Sequence, residues 1–302
     1  MNTIVIVVTY NAQRWIENCL DSIANSTIKA TIIVVDNSSA DNTINIIESI
    51  YPEVILLKNS VNMGFAKGNN IGITYALVNG YSYIALLNQD AKLGKESLEK
   101  LIGYSSKYPD YGILAPLTFS YDGTGLDPYH VAKSFNSNLK LASDVYFHRE
   151  EDVYDIELAP AAVWLIKAEA IRVVGGFDPL FFMYGEDNDL WERFKRRGWK
   201  TGIYPTVTAY HHHDSNAWKQ SGKRVLYIYS EFVLELKNPQ NRFLFGLFKI
   251  VIKNAFMMGY SLITLNMVQF KILWFSNSKL MFNLLSIYKH RKMSITDKSP
   301  FL

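Results

Sequence analysis

A single cysteine, Cys19, in 302 residues excludes a disulfide framework and any cysteine-rich zinc module. No G-x-G-x-x-G follows the first apolar run, so the dinucleotide fingerprint is absent. No G-x-x-x-x-G-K-S/T occurs either, which excludes a P-loop. Between Lys237 and Met293 there is no Asp or Glu, against nine Lys and Arg, so the overall charge of +3 hides a body of net −6 and a basic tail. That asymmetry argues against a nucleic-acid partner and for an anionic membrane surface. Before the apolar run Ile4–Val8 there is no basic segment and no small-residue cleavage site, and the run is far too short to span a bilayer. The expected location is a reducing cytoplasm, which a lone cysteine also suits.

What is present is apolar enough to fold, at 49% hydrophobic residues, and longer than one average domain of about 150 residues. Two units, or one α/β domain with an appendage, are expected. Short β-branched runs alternate with helical patterns through the first 118 residues. Strands are expected at Thr3–Val8, Thr31–Val35, Val54–Lys58, Tyr83–Leu87 and Gly112–Pro116, and helices at Ala12–Ala24, Asp41–Ile50, Ala66–Asn79 and Lys95–Lys107. Repeated β-α-β units imply a mainly parallel sheet covered on both faces. Ligands of such sheets bind beyond the carboxyl ends of the strands.

Those ends are polar. Thr9-Tyr10-Asn11 follows the first strand and Asp36-Asn37-Ser38-Ser39 the second. Asn59 to Asn70, containing Asn62, Gly64, Phe65, Lys67 and Asn69, follows the third, and Asn88-Gln89-Asp90 the fourth. Any one of these is explained by helix capping, as Asp36 and Asn37 illustrate. Four on one sheet edge point instead to a ligand, since such groups are expensive to bury unpaired. Asp36 can accept hydrogen bonds from a base or ribose. Gly64 and Gly68 would let the backbone approach a ligand at a helix start, where free N–H groups attract phosphate.

In order and spacing these segments resemble the family-2 inverting glycosyltransferases of GT-A fold, with the flavour of the rhamnosyltransferase-like branch of bacterial surface-polysaccharide synthesis. The later stretch Val174-Gly175-Gly176-Phe177-Asp178 through Tyr184-Gly185-Glu186-Asp187-Asn188-Asp189 is similar to that family's acceptor-side motif, and Arg193, Gly198 and Tyr210-His211 follow at family-like spacing. The resemblance runs from about residue 3 to residue 216. It implies a Rossmann-like, mainly parallel sheet flanked by helices, a nucleotide-sugar donor, and a glycan or lipid-linked acceptor.

It also implies roles. The family's Asp-x-Asp triplet is here Asn88-Gln89-Asp90, so Asp90 matches the metal-binding position and the first carboxylate is missing. Thr9, Tyr10, Asn11, Asp36, Asn37, Asn62, Gly64, Phe65, Lys67, Asn69, Asn88 and Gln89 become expected donor contacts. A hard divalent cation, Mg2+ or Mn2+, takes oxygen ligands and often only one or two carboxylates beside phosphates. One of Asp187 and Glu186 would be the general base, Asp187 being preferred. In the run His211-His212-His213-Asp214 an extended backbone puts His211 and His213 on one face and His212 on the other. His211 is the expected second metal contact, and a satisfied surface histidine the alternative.

Residues 118–160, with Tyr121, Asp122, Gly123, Thr124 and Gly125, show no clear period and are expected to form a variable acceptor-facing insertion. Trp164 is either core or sugar platform. The chain divides as 1–118 for the donor half, 119–236 for the acceptor half and 237–302 for a basic helical tail. Lys249, Lys253 and Lys271 interrupt the apolar stretches and disfavour a spanning helix, leaving a helix in the membrane interface or packing on the body or on a second copy. The competing readings are an inactive nucleotide-binding membrane scaffold, suggested by Asn88, and a nucleotidyltransferase.

Overall fold

The computed structural model describes residues 2–213, 220–297 and 299–302, apart from the side chain of residue 130. Asp214, the last residue of the histidine run, lies outside the described residues.

The first half is built as the alternating pattern requires. Strand β1 (Thr3–Thr9) leads to α1 (Ile16–Ala24), β2 (Thr31–Asp36) to α2 (Thr43–Ile50), and β3 (Ile55–Lys58) to α3 (Gly64–Val78). Strand β4 (Tyr83–Asn88) turns into the short β5 (Ala91–Leu93), followed by α4 (Ser97–Lys107) and β6 (Tyr111–Ser120). Successive side chains of a strand point to opposite faces, so Ile4 and Ile6 enter one core with Ala66 and Ile73 of α3, while Val5 and Val7 enter a second with Ile16 and Leu20 of α1. Both faces of β1 are dry, which is why its sequence is a continuous β-branched run.

The sheet is mixed rather than parallel throughout. Its order is β3-β2-β1-β4-β8-β6-β9-β5, with β7 (Tyr154–Asp155) paired to β9 (Lys200–His211). Strands β1 to β4 are parallel, but β8 (Val163–Lys167) runs antiparallel to both β4 and β6. The reason is topological. After β6 the chain makes an excursion beyond the carboxyl edge through α5 (Pro128–His130), a π-helical turn (Val131–Phe135) and α6 (Leu139–Tyr146). It touches the sheet at β7, against β9, and then starts β8 with Val163 opposite Leu87 at the carboxyl end of β4, so β8 must run back. Residue 118 falls inside β6, and one sheet continues across it. Since β9 is parallel to β6, the ends of β1, β2, β4, β6 and β9 all lie at one edge.

Helices α7 (Ala168–Val174) and α8 (Glu186–Arg196) cover the α3 side of the sheet through Ile171, Leu190, Trp191 and Phe194. Trp164 is fully buried there, stacked near Phe177 and tilted against Trp191, with its indole N–H donating to Ala159 O at 3.2 Å. It is core.

Three helices end the chain: α9 (Ser221–Lys237), α10 (Phe243–Ile263) and α11 (Met267–Thr296). They form a third apolar cluster around Phe181, with Val233, Leu236, Ile250, Leu280 and Ile287. A buried ionic network ties them to α8. Lys237 bridges Asp178 and Asp189, His290 Nδ1 lies 2.7 Å from Asp178, and Arg193 Nε donates to Asp189 at 3.0 Å. The helical region is therefore joined to the body through charge as well as through packing. The outer faces of α10 and α11 are different: Phe245, Phe248, Phe256, Phe282 and Leu285 are all more than half exposed. The two lysines of α10 do not break its apolar character, contrary to the sequence expectation. Phe243–Ile263 is long and apolar enough to cross a membrane by length and composition, and only 17% of its most apolar window is buried.

Candidate active site

The carboxyl edge is laced by polar side chains. Asn11 adopts φ 51°, a left-handed conformation that Asn tolerates, with its N–H donating to Ser39 Oγ and its Oδ1 accepting from Ala40 N, both at 2.8 Å. Tyr10 N donates to Gln89 Oε1 at 2.8 Å, joining the β1 and β4 ends. Thr9 Oγ1 and Ser39 N each donate to the Asp36 carboxylate at 2.9 Å. Asn37 Nδ2 donates to Gly64 O at 3.1 Å, while Asn37 Oδ1 accepts from Asn59.

Of the expected donor contacts, Thr9, Tyr10, Asn37, Asn62, Gly64, Phe65, Asn88 and Gln89 line one cleft together with Asp90. Phe182 and Met183, just ahead of α8, close its far side. Asn11, Asp36, Lys67 and Asn69 do not line it. Asp36 has no exposed surface and its oxygens accept from Thr9 and Ser39, so it shapes the turn instead of facing a ligand. Asn69 is buried and donates to Phe65 O at 3.0 Å within α3. Lys67 points to solvent.

The glycine expectation also changes. A Cβ on Gly68 would lie 2.7 Å from Val8 Cγ1, so this glycine lets α3 approach β1, not a ligand. Gly64, at φ +79°, would put a Cβ 2.4 Å from Phe182 O, and Phe65 N donates to that same oxygen at 2.9 Å. The start of α3 is thus a seat for the loop before the acidic helix, and its first two N–H groups are already engaged, Gly64 N by Asn62 Oδ1 and Phe65 N by Phe182 O.

Beside the cleft, the two expected metal contacts meet. His211 Nε2 lies 3.5 Å from Asp90 Oδ1, and His212 N donates to Asp90 O at 3.0 Å. On the other side of the ring His211 Nδ1 lies 3.0 Å from Oδ2 of Asp127, a residue the sequence analysis missed. Burial would lower the His211 pKa, but Asp127 and Asp90 outweigh it and lift it to about 9. The three histidines diverge as an extended backbone demands: His212 stacks on Trp15 at 4.4 Å, and His213 faces Tyr129 at 6.0 Å. Among the described residues no group of three or more His, Cys, Asp or Glu is arranged to hold a metal ion by itself.

The acidic helix begins after two left-handed residues, Tyr184 (φ 72°) and Gly185 (φ 83°), which turn Glu186 inward. Asp189 is engaged with Arg193 and Lys237, so only Glu186 and Asp187 remain for chemistry. Burial, and then the charge of Asp187, push Glu186 up to about 8, and its Oε2 has no hydrogen-bond partner among the described residues. Burial also raises Asp187, opposed by a hydrogen bond from Asn188 N and by the charge of Lys133. Asp187 in turn is the first charge, after burial, that holds the Tyr129 hydroxyl up. Tyr129 N donates to Asp127 Oδ1 at 2.8 Å. The short segment from Asp127 to Lys133 therefore touches His211 through Asp127 and acts on Asp187 electrostatically through Tyr129 and Lys133.

Known proteins are similar to this chain in sequence and in fold. The chain is 26% identical over 235 residues to an N-acetylglucosaminyl-diphospho-decaprenol L-rhamnosyltransferase of Mycobacterium tuberculosis, covering 69% of this chain and 75% of that one. It is 25% identical over 228 residues to the rhamnosyltransferase WbbL of Escherichia coli, covering 71% and 85%. Among solved structures, a mannosyltransferase of Pyrobaculum calidifontis, in complex with GDP-Man and Mn2+, superposes with a TM-score of 0.60 at 17% identity, over 94% of this chain and 75% of that one. Staphylococcus aureus TarS in complex with UDP gives 0.54 at 17%, over 82% and 68%. The fold is GT-A. The model of the family described as "Glycosyl transferase family 2" matches residues 4–156, half of the sequence, and the chain belongs to that family of glycosyltransferases.

Proposed function

We propose that this glycosyltransferase moves a sugar from a nucleoside diphosphate donor, dTDP-rhamnose or a UDP-sugar, to a hydroxyl of a glycan or lipid-linked acceptor, with inversion, in cell-envelope glycan synthesis. The observation that carries the reading is the Asp90–His211 pair at a cleft lined by the strand ends, whose lining also includes Phe182 and Met183, just ahead of the helix that carries Asp187. The relatives named as rhamnosyltransferases support the choice of donor.

Asp187 is the base that takes the acceptor proton, for a physical reason. Asp187 is the half-buried member of the pair, it accepts from Asn188 N at 2.9 Å, and the charge of Lys133 favours its ionised form, whereas Glu186 is fully enclosed and burial pushes it up to about 8. A carboxylate whose pKa burial has raised is a stronger base, and its removal costs roughly 10²–10⁴-fold. The acceptor oxygen then attacks the anomeric carbon from the face opposite the diphosphate, in one displacement.

Asp90 and His211 fit a divalent cation, Mg2+ or Mn2+. Ligands about 2.1 Å from one metal, at an angle somewhat above 90°, are about 3.0–3.5 Å apart, as Asp90 Oδ1 and His211 Nε2 are. With two protein ligands, the remaining positions would fall to the diphosphate. A cation there would act as a Lewis acid on charge developing at the leaving group. The missing carboxylate at Asn88 lowers the charge of the site but leaves an amide able to hydrogen-bond the donor.

The exposed apolar faces of α10 and α11, on a tail with nine basic and no acidic residues from Lys237 to Met293, support docking on the inner face of the cell membrane, where a lipid-linked acceptor would be met.

The test is release of nucleoside diphosphate from dTDP-rhamnose and a panel of UDP-sugars in the presence of acceptor, with the anomeric configuration of the product read by NMR. Turnover is expected with one donor, with inversion, and Asp187→Asn should lower it by at least about 10²-fold while donor binding persists. Binding without turnover on any donor would favour the scaffold reading that Asn88 suggests.

A further inference from the structure

Asp127 sits where no sequence motif would place it, and its position is set in steps. Strands β6 and β9 pair so that Ser120 lies opposite His211. A tight turn follows: Asp122 Oδ1 accepts from Ser120 Oγ at 2.7 Å and from Thr124 N at 3.1 Å, and Gly123 takes φ +74°. The turn returns the chain to β6, where Asp127 N donates to Thr118 O at 3.0 Å. The Asp127 side chain is 3% exposed and divides its oxygens, Oδ1 accepting from Tyr129 N at 2.8 Å and Oδ2 lying 3.0 Å from His211 Nδ1.

The two ring nitrogens of His211 are thereby assigned opposite tasks. Nδ1 faces Asp127 and Nε2 faces Asp90. When a cation takes the place of the proton on Nε2, a carboxylate that accepts from Nδ1–H keeps the other proton on Nδ1, so that Nε2 offers its lone pair, and it fixes the plane of the ring. Carboxylate–histidine–metal arrangements work in this way, the outer carboxylate raising the basicity of the ligating nitrogen. In this chain the arrangement has an added consequence. The Asp-x-Asp position has lost its first carboxylate to Asn88, so the acidic character around Asp90 must come from elsewhere, and Asp127 brings a buried carboxylate from a segment outside the triplet.

We infer that Asp127 is a positioning residue that aims His211 Nε2 at the divalent cation and compensates, through His211, for the carboxylate missing at Asn88. The inference rests on the proposed metal role of Asp90 and His211. Asp127 does not reach the cation itself, because the imidazole stands between it and Asp90.

The experiment is Mn2+ titration of the full chain followed by the EPR signal of free Mn2+, with UDP and with dTDP as probes and without nucleotide. Outer-shell carboxylates of this kind change metal affinity about 10–100-fold. Asp127→Asn and Asp127→Ala are each expected to weaken Mn2+ binding by that factor. Asp127→Asn keeps the shape of the segment should the alanine variant fail to fold. In a His211→Ala background the same substitution should change Mn2+ affinity no further, since its route to the metal is gone. A role confined to holding the turn through Tyr129 N would weaken binding equally in both backgrounds, and that result overturns the inference, as does an unchanged affinity in Asp127→Asn. Absence of Mn2+ binding by the wild-type chain with either nucleotide would overturn the metal role of Asp90 and His211 itself, and the inference with it. Binding that ignores Asp127 would leave that role standing.

Discussion

Glu186 and Asp187 are neighbours in one turn, yet they sit differently, Glu186 buried and Asp187 half-buried. Glu186 is enclosed with one oxygen unpartnered among the described residues, whereas Asp187 accepts from Asn188 N at 2.9 Å and feels Lys133. A carboxyl whose folded pKa is raised to about 8 keeps its proton in the native state at pH values where the unfolded chain has lost it. Native binds more protons than unfolded over that interval, so this group's contribution is fully present below about 4.5 and is lost as pH rises through 8. Glu186→Gln removes the titration and keeps the shape. Its melting temperature should match that of the wild type near pH 5 and exceed it at pH 8–9, as read by circular dichroism. Equal pH profiles would show that Glu186 ionises freely. Gly64 offers a second test at this scale. Gly64→Ala must adopt φ near +79° and force Phe182 O away. The left-handed conformation alone costs about 1–2 kcal/mol, and displacement of the Phe182–Met183 wall adds to it. A fall in melting temperature with a raised KM for donor is expected in steady-state kinetics.

At the scale of elements, the joint between α8 and the last helices is ionic. Burial would raise Asp178, but Lys237 and His290 outweigh it and hold the carboxyl down at about 2. Asp178 and Lys237 are almost wholly buried, and so are Asp189 and Arg193. Breaking such a network by removing one partner leaves uncompensated charge and costs about 3–5 kcal/mol. Lys237→Met should show that loss in urea denaturation, along with reduced turnover, because Asp189 lies in the first turn of the helix that carries Asp187. The same elements show where sequence patterns speak and where they fall silent. Strands β1 to β4 were legible because β-branched runs buried on both faces have few other uses. Their polar ends were legible because four of them share an edge. Strand β8 was not, since Pro160-Ala161-Ala162 ahead of Val163 gives no alternation and its partners β4 and β6 are about 50 to 80 residues earlier. Asp127 was hidden for the same reason: a turn and a strand register place it, and neither leaves a local signature. Lys237 and Asp178 read as tail and motif, and only the fold makes them partners.

For the molecule as a whole, the charge asymmetry and the exposed aromatic faces of α10 and α11 lie on the same helices, which are also fixed to the catalytic body. The buried face of α10 is narrow, with Gly246 against Leu236 of α9, then Ile250, Asn254 and Ser261, and Asn254 Nδ2 donates to Asn277 Oδ1 of α11 at 2.7 Å. Most of the large apolar side chains of α10, Phe245, Phe248 and Phe256 among them, are therefore left outward. Each Lys or Arg near an anionic bilayer contributes about 1 kcal/mol, an attraction that salt screens over about 8 Å at physiological ionic strength. Inserted Phe and Leu side chains add a part that salt does not weaken. The full chain should co-sediment with vesicles of phosphatidylglycerol and phosphatidylcholine, less with phosphatidylcholine alone, and partly resist added salt. Replacing Phe248 and Phe256 together by Ser, at positions more than half exposed, should remove the salt-resistant part and leave turnover on a water-soluble acceptor analogue unchanged. Extraction with alkaline carbonate decides how α10 sits. Release from native membranes is the outcome for a helix lying in the interface with Lys249 and Lys253 toward the headgroups. Retention would mean that the 21-residue helix crosses, as its length and composition permit.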